Sequence, residues 1–489
     1  MNTKAALSIR NFFSIFGVLI MMVGGLILLP LVALPFYPQE VGWSVCFLLP
    51  AGIAILAGFL LKRLDPGQEI ALSLKQDAVI VVGVWIVGTL FSSMPFVLSG
   101  MLDFSQAYFE AMSGWTTTGL SVVDVTAAPH VFLLFRSMMQ FFGGLGFILL
   151  VVSALSETFG MRLYTAECHS DKLLPNLARS ARMIFKIYIG YFIAGVVLYV
   201  WAGMPVFDAV NISMAALSTG GFAVTPDSIA AYNSFPIELI SVVLMILGAT
   251  NFLAHMLLIK RKFKTFFRIG ETRFMFLLLG ILIPLVAVVS LQSVYDNLGE
   301  AFRVSLFNIT SALTTTGFST VAYNNWPAFS WLILVAMMII GGGIGSTAGG
   351  IKYGRIYLLL KMFFWNLKRK FLPERSINEL SIYRPEGKVY VTNDFYADAA
   401  NYFFLYLFVL FIGTGLLASL GYSFQDSLFE FTSALGTVGL SVGVTTPDMP
   451  PLALWTMTAG MLLGRLEMYV IFIAVIKVSK DIKKLAVSR

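Results

Sequence analysis

The chain has 489 residues, 58% hydrophobic side chains, 12% charged ones and a mean hydropathy of +0.84, which excludes an ordinary soluble fold and indicates a polytopic membrane protein. The net charge of +7 does not imply nucleic acid, because the basic residues lie between apolar segments instead of gathering on one soluble face. Cys46 and Cys168 are far apart and His130, His169 and His255 have no ligand spacing, so a disulfide scaffold and a zinc centre are both excluded.

The first apolar run, 12–36, follows Lys4 and Arg10. It is too long for a signal-peptide core and lacks a small-residue cleavage site, so it reads as a retained span. Further runs of spanning length follow at 42–61, 78–99, 131–155, 184–203, 236–259, 274–293, 328–348, 399–421 and 452–476. Between them lie four shorter apolar pieces, 104–117, 208–219, 301–315 and 425–437, too short to cross a bilayer and therefore expected to be re-entrant.

Lysine and arginine mark the cytoplasmic side. They collect after the fourth run (Arg162, Lys172, Arg179, Arg182), after the sixth (Lys260, Arg261, Lys262, Lys264, Arg268), in 349–398 (Lys352, Arg355, Lys361, Lys368, Arg369, Lys370, Arg375) and at the C-terminus (Lys480, Lys483, Lys484, Arg489). Acids fill the opposite connections: Asp103, Glu110, Asp208, Asp227, Asp296, Glu300, Asp426 and Asp448, with Arg303 the basic exception. Both termini are thus expected inside, and the four short pieces enter from outside.

Aligned on Gly119, Gly221, Gly317 and Gly439, these pieces read FEAMSGWTTTGL, NISMAALSTGGF, FNITSALTTTGF and FEFTSALGTVGL. Each has threonine two residues before the glycine and leucine or phenylalanine after it. The expected architecture is therefore an all-α membrane protein of ten transmembrane helices. Two N-terminal helices (1–72) precede four helix, re-entrant loop, helix repeats at 73–160, 161–265, 266–390 and 391–489.

Non-helical backbone survives at membrane depth only where protein or water satisfies it, so four such loops should meet around one aqueous axis. Inward carbonyls there would replace the hydration shell of a large monovalent cation, with the acids Asp103, Glu110, Asp208 and Asp426 concentrating cations at the mouth. The bland alternative for a single copy is close helix packing; four aligned copies favour a filter.

The segment GGGIGSTAGGIK, 341–352, imitates a dinucleotide fingerprint. It ends an apolar run instead of joining strand to helix, and it lacks the Lys-Ser/Thr of a phosphate loop. It should break the eighth span below the third loop and act as a gate, with Lys352 as plug or anchor; a glycine-rich helix crossing is the alternative. Arg465 lies within the tenth span, where it sets a barrier, pairs with Glu430 or a loop carbonyl, or forms a structural ion pair. His255 reads as a packing residue, not a proton relay. No convergent acid, base or nucleophile suggests an enzyme.

These loops, TTTGL, STGGF, TTTGF and TVGLS, with the broken glycine-rich span and the late arginine, resemble the Trk/Ktr/HKT superfamily of potassium transporters over essentially the whole chain. The two additional N-terminal helices are similar to those of its TrkH/TrkG branch. The resemblance implies K+ uptake across the bacterial inner membrane by a homodimer, with no cofactor on this chain and NAD and ATP bound by a cytoplasmic TrkA-type ring. It assigns the filter to Thr117, Thr118, Gly119, Thr219, Gly220, Gly221, Thr315, Thr316, Gly317, Thr437, Val438 and Gly439. It assigns the gate to Gly341, Gly342, Gly343, Gly345, Ser346, Thr347, Gly349, Gly350 and Lys352, with the pore-facing arginine at Arg465. Sodium-admitting members often carry serine at the first glycine, so Gly119 favours potassium; a Na+-permeable or Na+/H+-coupled transporter of the same build is the alternative.

Overall fold

The computed structural model describes residues 3–65, 67, 74–146, 177–373 and 379–487. Arg162, Cys168, His169, Lys172, Arg375 and Arg489 lie outside the described residues.

The chain divides into two units. The first comprises residues 1–116, 121–186 and 446–489. It begins with α1 (Thr3–Leu28) and α2 (Ser44–Lys62), which approach so closely that a Cβ on Gly17 would press on Gly58 O, and one on Gly58 on Gly17 O. Next come α3 (Leu74–Leu98), the short α4 (Phe104–Trp115) and α5 (His130–Leu145). Asp103 and Gln106 form a reciprocal capping box that starts α4. The turn after α1 is anchored on α5: Glu40 accepts from the N–H groups of His130 and Val131, both at 3.0 Å, and Tyr37 stacks on the His130 ring. Phe47, Phe96, Phe132 and Phe135 fill the space between these helices.

The second unit comprises residues 117–120 and 187–445. The helix α6 (Leu177–Trp201) leads into α7 (Val206–Leu217), α8 (Phe235–Gly248), α9 (Phe252–Ile259), α10 (Gly270–Val289), α11 (Leu298–Leu313), α12 (Ala328–Ile340) and α13 (Tyr353–Arg369). A hairpin of β1 (Ser381–Arg384) and β2 (Gly387–Tyr390) follows, then α14 (Asn393–Ser419) and α15 (Phe424–Leu435). The last helices, α16 (Pro451–Arg465) and α17 (Tyr469–Val487), return to the first unit, where α17 packs on α3.

The chain is therefore mostly helical but not all-α. The alternation Ser-Ile-Tyr-Arg and Gly-Lys-Val-Tyr around Pro385-Glu386 suits a two-residue hairpin, and Ile382 is buried on its inner face.

Among the described residues, six helices are long and apolar enough to cross a membrane. Two further runs, expected as straight spans at 236–259 and 452–476, are bent by 112° and 105°. The run at 328–348 stops being helical at Ile340. The run at 131–155 is helical to Leu145, and its remainder from residue 147 lies outside the described residues.

These interruptions share one register. The helices α5, α8, α12 and α16 begin at or beside a proline, and the fourteenth residue counted from each start is a glycine: Gly143, Gly248, Gly341 and Gly464. At three of them the missing side chain admits a neighbouring backbone: Trp115 O against Gly143 and Leu217 O against Gly248, the last residues of α4 and α7, and Gly349 O against Gly341. At Gly143 and Gly248 glycine allows the helix to lie against the end of the preceding short one, and at all four places it weakens the helix where it then breaks.

Candidate functional site

The short helices α4, α7, α11 and α15 each end in the same way. Residues Thr117, Thr219, Thr315 and Thr437 adopt left-handed φ of 57°, 52°, 54° and 48°. In the last three the geometry is a Schellman cap: the threonine N–H bonds two residues before the helix cap, and the next N–H bonds back to Ala215, Ser311 or Ser433. Glycine or asparagine usually fills that position; a β-branched residue there costs about 1–2 kcal/mol.

Two residues later, Gly119, Gly221, Gly317 and Gly439 are again left-handed, at 92°, 74°, 83° and 97°, while the residue between is not. Alternating handedness turns successive peptide groups the same way, so neighbouring carbonyls align on one side of each loop. In every loop the glycine is the partly exposed residue between buried neighbours.

The four loops close on one another. A Cβ added to Gly119 would run into Gly220 O, one on Gly221 into Thr316 O, one on Gly317 into Val438 O, and one on Gly439 into Thr118 O. The contacts run from loop one to two, three, four and back to one, all within the second unit. Glycine is thus demanded twice, by its dihedral and by the carbonyl seated against its Cα. Helices α7, α11 and α15 each point their C-terminal end, the negative pole of the helix dipole, into this ring.

Residues 341–352 lie against the threonines of three loops. Gly349 N–H donates to Thr315 Oγ1 at 2.7 Å, Thr347 Oγ1 meets Thr219 Oγ1 at 3.0 Å, and a Cβ on Gly349 would strike Thr437 Oγ1. The segment is held to the bend between α8 and α9: Asn251 Nδ2 donates to Ile344 O, Phe252 N to Gly345 O, and Gly343 N to Ala249 O. Gly341 and Gly350 touch backbone to backbone, Ser346 Oγ bonds Gly343 O, and Lys352, itself left-handed at 81°, donates Nζ to Ala348 O. Gly342 packs on Ala348. Lys352 is buried as an anchor within its own segment. His255 Nε2 faces Leu247 O at 3.0 Å, which accepts only, so the ring donates there, to a carbonyl at the α8–α9 bend that also accepts from Thr250 N–H.

Arg465 ends α16 and donates Nη2 to Gly143 O at 2.5 Å and Gly144 O at 3.1 Å, carbonyls of the C-terminal turn of α5. Glu430 instead accepts from Ser441, Val442, Val444 and Thr445 of its own repeat. Replacing Arg465 by methionine should lower the unfolding midpoint in detergent by several degrees, corresponding to about 1.5–3 kcal/mol for charge-assisted bonds. An unchanged midpoint with raised ion flux would mark the residue as a barrier instead.

Of the four acids, Glu110 is placed differently from expectation. Asp103 and Asp426 belong to the N-terminal turns of α4 and α15, where they join local caps. Asp208 accepts from Tyr232 in the connection between α7 and α8; burial first, and that carboxylate second, push the phenol well above its usual range and keep it a donor. Glu110 is fully buried and ion-paired with Arg136 at 2.7 Å, because it sits in the middle of α4 and faces protein, not the mouth.

A profile of the TrkH family, described as cation transport protein, matches residues 47–484. The chain belongs to the TrkH family. Among its relatives, the Trk system potassium uptake protein TrkG of Escherichia coli is 34% identical over 419 residues, covering 83% of this chain and 85% of TrkG. TrkH of Salmonella typhimurium is 30% identical over 481 residues, covering 94% and 96%. The crystal structure of the potassium transporter TrkH from Vibrio parahaemolyticus superimposes with a TM-score of 0.83 at 28% identity, covering 95% of this chain and 98% of that one. This TrkH-family chain is accordingly a multi-pass membrane protein that transports cations and is not an enzyme.

Proposed function

We propose that the chain takes up K+ across a bacterial inner membrane through the ring of loops at Gly119, Gly221, Gly317 and Gly439. The observation that carries this is the closed circuit of glycine-to-carbonyl contacts, which puts Thr118 O, Gly220 O, Thr316 O and Val438 O at equivalent places around one axis. An entering cation exchanges its hydration shell for these oxygens. A large, weakly hydrated monovalent ion makes that exchange at lower cost than a small or divalent one. The helix C-termini behind the loops add negative potential without contributing a titrating group. Thr437 Oγ1, buried and without a hydrogen-bond partner among the described residues, is a further oxygen for a desolvated ion at the inner edge.

In this reading ten spans, two N-terminal and two per repeat, place both termini in the cytoplasm. The basic segments at 260–268 and 355–370 receive a TrkA-type ring that binds NAD and ATP, and the functional unit is a homodimer. Residues 341–352 are the gate, bonded directly to the threonines below the ring. The relatives named as Trk potassium uptake proteins support the choice of ion, as does glycine at position 119.

The test is uptake by the purified chain in liposomes under an imposed membrane potential and no proton gradient. Rb+ or K+ entry at least tenfold above Na+ is expected. Equal Na+ entry would favour the sodium-permeable alternative.

A further inference from the structure

Nine residues before each loop glycine stands one position of the short helix: Glu110, Ile212, Asn308 and Glu430. Where it is polar it fastens the chain leaving the ring. Glu110 accepts from Ser121 Oγ and Val122 N; Asn308 donates to Thr320 Oγ1 and accepts from Tyr323; Glu430 accepts from Ser441 Oγ at 2.5 Å, Val442 N at 2.9 Å, Val444 N at 3.2 Å and Thr445 Oγ1 at 2.9 Å.

The two carboxylates differ in charge balance. Glu110 is neutralised by Arg136, the seventh residue of α5, whose Nε lies 2.7 Å away. The seventh residues of α8, α12 and α16 are Ser241, Leu334 and Met457. Glu430 is fully buried, and every one of its hydrogen-bond partners is neutral. Two backbone N–H groups and two hydroxyls converge on it, each able to donate, an environment that accommodates the ionised acid. Ser441 is two residues beyond Gly439, so the carboxylate lies within roughly 10 Å of the ring.

We propose that Glu430 is a positioning residue that sets cation affinity, a fixed negative charge behind the fourth loop whose counter-ion is the transported cation itself. At this one position the four repeats are then electrostatically unequal: repeat one carries a cancelled pair, repeats two and three carry the uncharged Ile212 and Asn308, and repeat four carries an unpaired carboxylate. This rests on the transport reading above and adds the source of its attraction. A charge that close, at an effective dielectric constant of about 20, changes the affinity for a monovalent ion by on the order of tenfold. A divalent ion of similar size feels the potential twice over, so its affinity changes by about the square of that factor, on the order of a hundredfold.

The experiment measures K+ uptake and its block by Ba2+ in liposomes holding the full chain. Glu430→Gln should raise KM for K+ about tenfold with maximal rate little changed, and weaken Ba2+ block by about the square of that shift. Glu430→Asp, which keeps the charge, should recover most of both. Asn308→Asp adds a charge at the equivalent position of repeat three and should move both in the opposite direction, a readout that survives even if the glutamine variant does not fold. Wild-type KM and block in Glu430→Gln, or K+ and Ba2+ shifting by the same factor, would overturn the proposal and assign Glu430 to loop geometry alone. A wild-type chain that admits no monovalent cation would overturn the transport reading as well.

Discussion

Gly317→Ala should abolish selective uptake while leaving a folded protein. The residue sits at φ 83°, where an L side chain costs about 1–2 kcal/mol, and its new methyl group would overlap Val438 O of the next loop. Backbone oxygen cannot swing aside as a side chain would, so the fourth loop must move, and with it one of the four oxygens proposed to replace the hydration shell. The expected result is a fall in K+ over Na+ discrimination of at least about tenfold in the liposome assay, with an unfolding midpoint within a few degrees of wild type. Retained discrimination would mean that the ring of glycines does not define the ion's path. Alanine at Gly415 provides the control, since no atom approaches a Cβ built there.

Removing residues 345–348 should raise ion flux severalfold in the absence of any cytoplasmic partner. The deletion takes away Thr347, which bonds Thr219 Oγ1 and Gly248 O, and displaces Gly349, whose N–H holds Thr315 Oγ1. The ring keeps its own Schellman caps, so selectivity should persist while the obstruction below it is lost. Unchanged flux would reduce the segment to a packing element, the role a glycine-rich crossing suggests.

Much of this was legible in the sequence. The four loop glycines could be aligned from the residues alone because the hydroxyl, small-residue and aromatic positions recur in register around them. The broken eighth span was legible too, because glycine clusters cannot sustain a helix. What the alignment could not give was the reason for threonine two positions earlier: its left-handed backbone is imposed by the cap geometry, whereas local preference argues against it at a β-branched residue. The bends after Gly248 and Gly464 were missed because their flanks, Leu-Met-Ile-Leu and Gly-Met-Leu-Leu, are as apolar as any straight span. The glycine at the fourteenth place of each helix was the available signal, readable only once the helix starts were known. Glu110 was misplaced because charge counting treats every acid in an outer connection as exposed, while burial and Arg136 were decided by tertiary packing.

The circuit of glycine and carbonyl runs through four loops that share one polypeptide but not one sequence. In a pore assembled from identical subunits, a single codon change alters every wall at once, and most such changes are lost with the pore. In the pore proposed here each wall is encoded separately, so one substitution would perturb a quarter of the coordination and leave three oxygens in place. Ion preference in this architecture can therefore be tuned by small single steps, and the Gly220 and Val438 positions, already different from the threonines of their counterparts, are where such steps are visible.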